Sequence, residues 1–197
     1  VNPTTSLGTR AVLLSSLGGA SAVPDQVGQI LVSQNDKHLL AFGARPYYDP
    51  SSPPSPLPAY DPLLIRWASQ DQPEVWQPLV TNSAGFIRVS KGSKIVRAIP
   101  TRQEIVVLTD ASVYSLQFTG TTDVFSLQEL ANNTSIISPR AVTTASNTVF
   151  WMGEDKFYMY DGRVQPLPTT LREYVFKDIN FSQTDQIISG TNEGFNE

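Results

Sequence analysis

Between Trp151 and Gly162 the stretch WMGEDKFYMYDG places three carboxylates (Glu154, Asp155, Asp161) and four aromatic rings (Trp151, Phe157, Tyr158, Tyr160) within twelve residues. Paired acids beside aromatic rings could serve as general acid and base on a glycosidic bond, provided their separation is controlled and their environments differ. The neighbouring residues point elsewhere. Glu154 and Asp155 are adjacent in a polar turn that follows the almost wholly apolar run Thr148 to Met152. Side chains of a strand alternate, so Phe157 and Met159 face one way while Tyr158 and Tyr160 face the other. Asp161-Gly162 is a two-residue hairpin signal, because Gly tolerates the positive φ that such turns need. The stretch reads as a β-hairpin, and no catalytic residue is assigned to it.

Other routes to chemistry are equally sparse. The chain has no Cys and one His, His38, so thiolate catalysis, disulfides and a zinc site built on several histidines are excluded. His38 opens an apolar run after a turn and reads as structural. The turn KGSK (Lys91 to Lys94) lacks phosphate-loop spacing, and the acids at Asp36, Asp110 and Asp155 lack a calcium-loop pattern. No metal or cofactor is expected. The 197 residues carry a net charge of -4, only 16% are charged, and the 14 Lys and Arg are scattered. A nucleic-acid grip through phosphate neutralisation is therefore not expected. No run approaches the ~20 apolar residues of a membrane span. Ala11 to Ala22 has the apolar middle of a signal peptide but not its basic start. Both ends read as cut from a longer polypeptide.

The elements that would hold these residues are strands. Gln29 to Ala44 is two apolar runs joined by Gln34 to Lys37, and Leu63 to Ser69 and Glu74 to Val80 follow as further strands. Gln103 to Phe118 then matches Asn147 to Gly162 as apolar strand, acidic turn and alternating aromatic strand, at an offset of 44. Four strands recurring every 40 to 50 residues is the pattern of β-propeller blades. The expected fold is all-β, with about three blades of four antiparallel strands forming an incomplete part of a larger protein. One short helix near the C-terminus, Thr170 to Asn180, is capped by Thr170 and Glu173. Residues 1-25 read as a leader or linker, 26-168 as the propeller-like domain, and 169-197 as the helix plus the start of a further element. A proline-rich insertion at 45-61 cannot pair as a central strand, and its Tyr47, Tyr48 and Tyr60 are candidate subunit contacts.

One turn, SQDQPEVW (Ser69 to Trp76), is similar to the Asp-box turn of sialidase-type propellers, with Pro73 where Gly usually stands. That resemblance implies a structural part for Ser69, Asp71 and Trp76, the polar side chains bonding turn amides and the ring packing beneath. A sialidase-like site would also need clustered arginines, and Arg66, Arg88, Arg97, Arg102 and Arg140 are dispersed in the sequence.

A longer stretch, about Leu64 to Asn180, resembles the nozzle or hub proteins of short-tailed bacteriophages, the tail tubular protein B family. The likeness rests on Thr109-Asp110, Val113 to Phe118 (VYSLQF), Phe150 to Gly153 (FWMG), Phe157 to Pro168 and Tyr174 to Asn180. It implies a structural virion protein of the phage tail rather than an enzyme. Such a protein forms a homo-oligomeric ring, usually six-fold, that retains and conducts the genome during ejection. The implied partners are other copies of the chain, the portal adaptor, other tail proteins, tail fibres or spikes, and double-stranded DNA in unspecific passage. The alternatives are a carbohydrate-binding or sialidase-like propeller and a monomeric binding propeller.

Overall fold

The computed structural model describes residues 12–33, 35–49, 51–121 and 123–192. The chain divides into two compact units, Val1–Val89 and Ser90–Glu197. Among the described residues, twelve strands form three four-stranded antiparallel sheets that resemble propeller blades and do not close into a barrel.

Unit 1 holds one sheet, ordered β1 (Val27–Ser33), β2 (His38–Ala44), β3 (Asp61–Trp67) and β4 (Gly85–Arg88). The near-continuous apolar runs HLLAFGA and LLIRW take the two central positions, where both faces are covered. β1 instead alternates half-buried and exposed residues, as an edge strand does. Leu40, Phe42, Ile65 and Trp67 share one face and are all at most 5% exposed. Against the other face, Ala41, Ala44, Ala68 and Trp76 form a small core joined by Leu14, Ala22 and Val23 from the N-terminal segment.

The fourth strand is not Glu74 to Val80, as the apolar pattern predicts, but Gly85–Arg88. Pro73 precedes the expected strand and Pro78 falls inside it, and neither has an N–H to give a ladder. Residues 74–76 pair instead with the N-terminal segment: Ser21 N donates to Glu74 O at 3.0 Å, and Trp76 N donates to Ser21 O at 2.8 Å. Gly85 is fitted to its place, because a Cβ there would lie 2.6 Å from the Trp67 ring.

Unit 2 holds β5 (Ile95–Pro100), β6 (Ile105–Thr109), β7 (Ser112–Phe118) and β8 (Phe125–Asn132) in one sheet. The other sheet is β9 (Val142–Ala145), β10 (Thr148–Met152), β11 (Phe157–Tyr160) and β12 (Val164–Pro166). Register places Val149 opposite Tyr160 and Trp151 opposite Tyr158, so these four share a face. They pack on Val106, Leu108 and Val113 of the first sheet in a common core. Shifting that face back by the 44-residue repeat gives Ile105, Val107, Tyr114 and Leu116. These four lie on the opposite face of the first sheet and are also at most 5% exposed. The front of one sheet thus meets the back of the sheet before it, which is the packing of successive blades.

The C-terminal helix is α1, Arg172–Asp178, shorter than the expected Thr170 to Asn180. The capping box does not form: Leu171 occupies the N-cap with no side-chain bond. Two turns of helix have little stability of their own. α1 is instead held from outside, by Phe176 against the Phe157 ring at 5.2 Å and by Arg172 Nε donating to Asp155 O at 2.7 Å. Leu171 and Tyr174 beside these contacts are 60% and 76% exposed.

Candidate functional site

The acidic and aromatic cluster is a hairpin in the structure. Tyr158 and Tyr160 are buried while Phe157 and Met159 are half-buried, so the alternation read from the sequence holds. Trp151 and Tyr158 stack with centroids 5.3 Å apart. Glu154 and Asp155 are exposed, and the Asp155 carboxylate meets Lys156 at 3.3 Å and Arg172 at 3.6 Å. Tyr160 pairs with Val164, so the following loop has three residues, Asp161, Gly162 and Arg163, rather than the expected two. Gly162 supplies its positive φ of 109°.

The Asp-box-like turn is closed by backbone rather than side chains. Ser69 N donates to Val75 O at 2.8 Å, and Gln72 N to Ser69 O at 3.1 Å. Asp71 takes a left-handed φ of 58°, which its short polar side chain tolerates, and its carboxylate meets exposed Lys37 at 3.4 Å instead of the turn amides. Trp76 does lie beneath the turn, 2% exposed, with Nε1 donating to Pro73 O at 2.7 Å. Pro73 therefore anchors the ring through its carbonyl.

Two carboxylates that drew little notice in the sequence organise unit 2. Glu104, in the β5–β6 turn, accepts from Ser115 Oγ, from Gln117 Nε2 at 3.1 Å and from Tyr160 Oη at 2.5 Å. The last bond crosses from one sheet to the other. Burial first, then the Glu104 bond and charge, raise the Tyr160 hydroxyl above its ordinary pKa. Asp110, in the β6–β7 turn, accepts from Ser93 Oγ and from Ser93 N at 2.7 Å, clamping the KGSK turn. Burial pushes this carboxyl up, but the bonds from Ser93 and Lys94 outweigh it and hold Asp110 below the usual carboxylate range. Gly92 of the same turn has φ 105°, and a Cβ there would lie 2.7 Å from the Asp110 carboxylate.

The remaining candidates scatter. His38 is fully buried with Nδ1 2.8 Å from Ala68 O. Arg88 pairs with Asp61 at 2.6 Å, while Arg97, Arg102 and Arg140 are exposed. Among the described residues no group of three His, Asp or Glu side chains is placed to hold a metal ion. The Tyr60 hydroxyl lies over Gly28 and Gly43 while the residue stays 41% exposed, and Tyr47 and Tyr48 are half-buried. No helix among the described residues is long and apolar enough to cross a membrane.

Arg66 is the exception that sequence reading left unassembled. It lies near the end of β3, 2% exposed, and donates to the carbonyls of Ala22 (2.8 Å), Arg45 (3.1 Å) and Trp76 (3.2 Å). Its guanidinium also sits 5.9 Å from the Trp76 ring centroid. The signal was present: a lone charge inside the run LLIRW can be buried only if carbonyls or counter-charges surround it.

The fold and these sites define a propeller-like β protein whose conspicuous polar side chains mostly tie turns and sheets together. Among known proteins, the chain matches no family model and no curated relative.

Proposed function

We infer that this chain is a structural, non-catalytic part of a phage tail, a nozzle or hub subunit that forms a ring around the path of the exiting genome. The observation that carries the reading is the front-to-back packing of the two sheets in unit 2, at the 44-residue repeat that also carries the tail tubular protein B likeness. Packing that never pairs like with like propagates around an axis, which suits rings and blades. The residues of the likeness occupy equivalent corners of it: Thr109-Asp110 is the clamped turn of one sheet, and Phe150 to Gly153 with Phe157 to Tyr160 is the core hairpin of the next.

The edges support the same reading. Among the described residues no strand pairs with the outer side of β1, which exposes Ile30 (60%) and Val32 (56%), and β4 exposes Phe86 (54%). An open, apolar strand edge invites pairing with another chain unless one covers it. Low charge and a net charge of -4 suit a wall that lets DNA slide past without gripping it. Portal adaptor, tail fibres and neighbouring copies are the partners in this reading, and the virion is its location.

Electron microscopy of the purified full-length protein tests it. Class averages showing rings with a central opening support the subunit role. Single compact particles, together with hydrolysis or binding of glycans, would favour the carbohydrate-active propeller instead.

A further inference from the structure

Unit 1 contains a cavity of about 200 Å³ between the N-terminal segment and the start of the proline-rich loop. Its charged lining is Asp25, Arg45 and Arg66, with the rings of Tyr47 and Tyr48 beside them. Three N–H groups of Arg66 are used on neutral carbonyls, and no carboxylate lies within ion-pair distance of it among the described residues. Its Nε is buried without a hydrogen-bond partner, and so is the Nε of Arg45. Arg45 Nη1 meets Asp25 at 3.1 Å, so the one carboxylate of the lining is already engaged by Arg45. A buried charge without its counter-charge is costly to hold, and the lining is one negative charge short.

We propose that this cavity binds a carboxylate group between the Arg45 and Arg66 side chains. Charge-assisted bonds from guanidinium N–H to a carboxylate are among the strongest available to a protein, and two arginines line this one cavity. A single negative charge completes the lining, whereas a phosphate dianion would exceed it. The size of the cavity admits a carboxylate on a short stem. Burial holds the Arg66 guanidinium down to about 10, with Tyr47 and Asp25 only partly reversing it, which agrees with a counter-charge still to come. The group would arrive on a free small acid or on an acidic side chain of a partner segment.

The test uses the full chain labelled with ¹⁵N and follows the arginine Nε–Hε resonances. Sodium acetate is titrated against sodium chloride at equal ionic strength, and the amide of N-acetylglutamate is titrated separately. Two resonances should shift and saturate with acetate at about 1 mM, and chloride should leave them unmoved. Arg45→Gln, which spares the buried Arg66, should weaken acetate about tenfold while the other resonances keep their folded dispersion. Saturation by acetate alone assigns a free small acid, and equal or tighter binding of the glutamate amide assigns an acidic side chain. Shifts that stay linear, that chloride reproduces, or that Arg45→Gln leaves unchanged would overturn the proposal.

Discussion

Tyr160 and Glu104 join the two sheets of unit 2 through a single short bond, and cutting it should be costly. Tyr160 is 5% exposed and its hydroxyl lies 2.5 Å from a carboxylate oxygen. A hydrogen bond to a charged partner contributes about 1.5–3 kcal/mol, and more than the exposed pairs on the surface because little water competes. Tyr160→Phe removes the bond while keeping the ring in the core, so a loss near ~2 kcal/mol is expected. At about 2–4 °C per kcal/mol for a chain of this size, the melting temperature should fall by roughly 4–8 °C. Glu104→Gln keeps an acceptor but loses the charge. A double-mutant cycle from denaturant unfolding, with Trp151 fluorescence reporting on unit 2, should give a coupling of about 1–2 kcal/mol. The pH profile adds a second check. Because folding raises the Tyr160 pKa, its contribution is complete below the unfolded value near ~10 and is lost as pH climbs through the higher folded value. Wild type should therefore lose stability on that alkaline limb more than Tyr160→Phe does. A coupling below about 0.5 kcal/mol, the level of independent sites, would refute the inter-sheet contact.

Three further outcomes follow from the same geometry. Trp76→Ala should cost about 3–5 kcal/mol in a urea melt, as a buried Trp does, whereas Asp71→Asn should stay within about 0.5 kcal/mol because its ion pair with Lys37 is exposed. Gly92→Ala should destabilise by roughly 1–3 kcal/mol, since its φ of 105° and the nearby Asp110 carboxylate both oppose a side chain. Asp110 has a depressed folded pKa, so its contribution is present above the unfolded value near ~3.9 and is lost as pH falls through the lower folded one. Asp110→Asn should flatten that acid limb in a thermal-denaturation series, and an unchanged limb would count against the clamp.

How far these features were legible depended on whether local pattern or tertiary pairing decides them. The alternation from Phe157 to Tyr160 and the apolar run Thr148 to Met152 state their own burial, and the repeat between Gln103 and Asn147 states that two such hairpins exist. Glu74 to Val80 was misleading because Trp76 serves a core formed with Ala22 and Val23, more than fifty positions away, while Leu79 and Val80 stay exposed. The real strand, GFIR, is four residues with an exposed Phe and Arg, and only its place beside β3 makes it one. Thr170 and Glu173 have capping-box spacing, but Phe157, Asp155 and Arg172 decide where α1 begins. The cavity of Arg45 and Arg66 was hidden for a similar reason. The two arginines are 21 residues apart, and the β2–β3 connection with the N-terminal segment brings them together.

The mass of the full-length protein in solution bears most directly on the subunit role. Sedimentation equilibrium at micromolar concentration should report a closed homo-oligomer several times the mass of one chain and unchanged on modest dilution. A species that stays at the mass of a single chain throughout would contradict the ring.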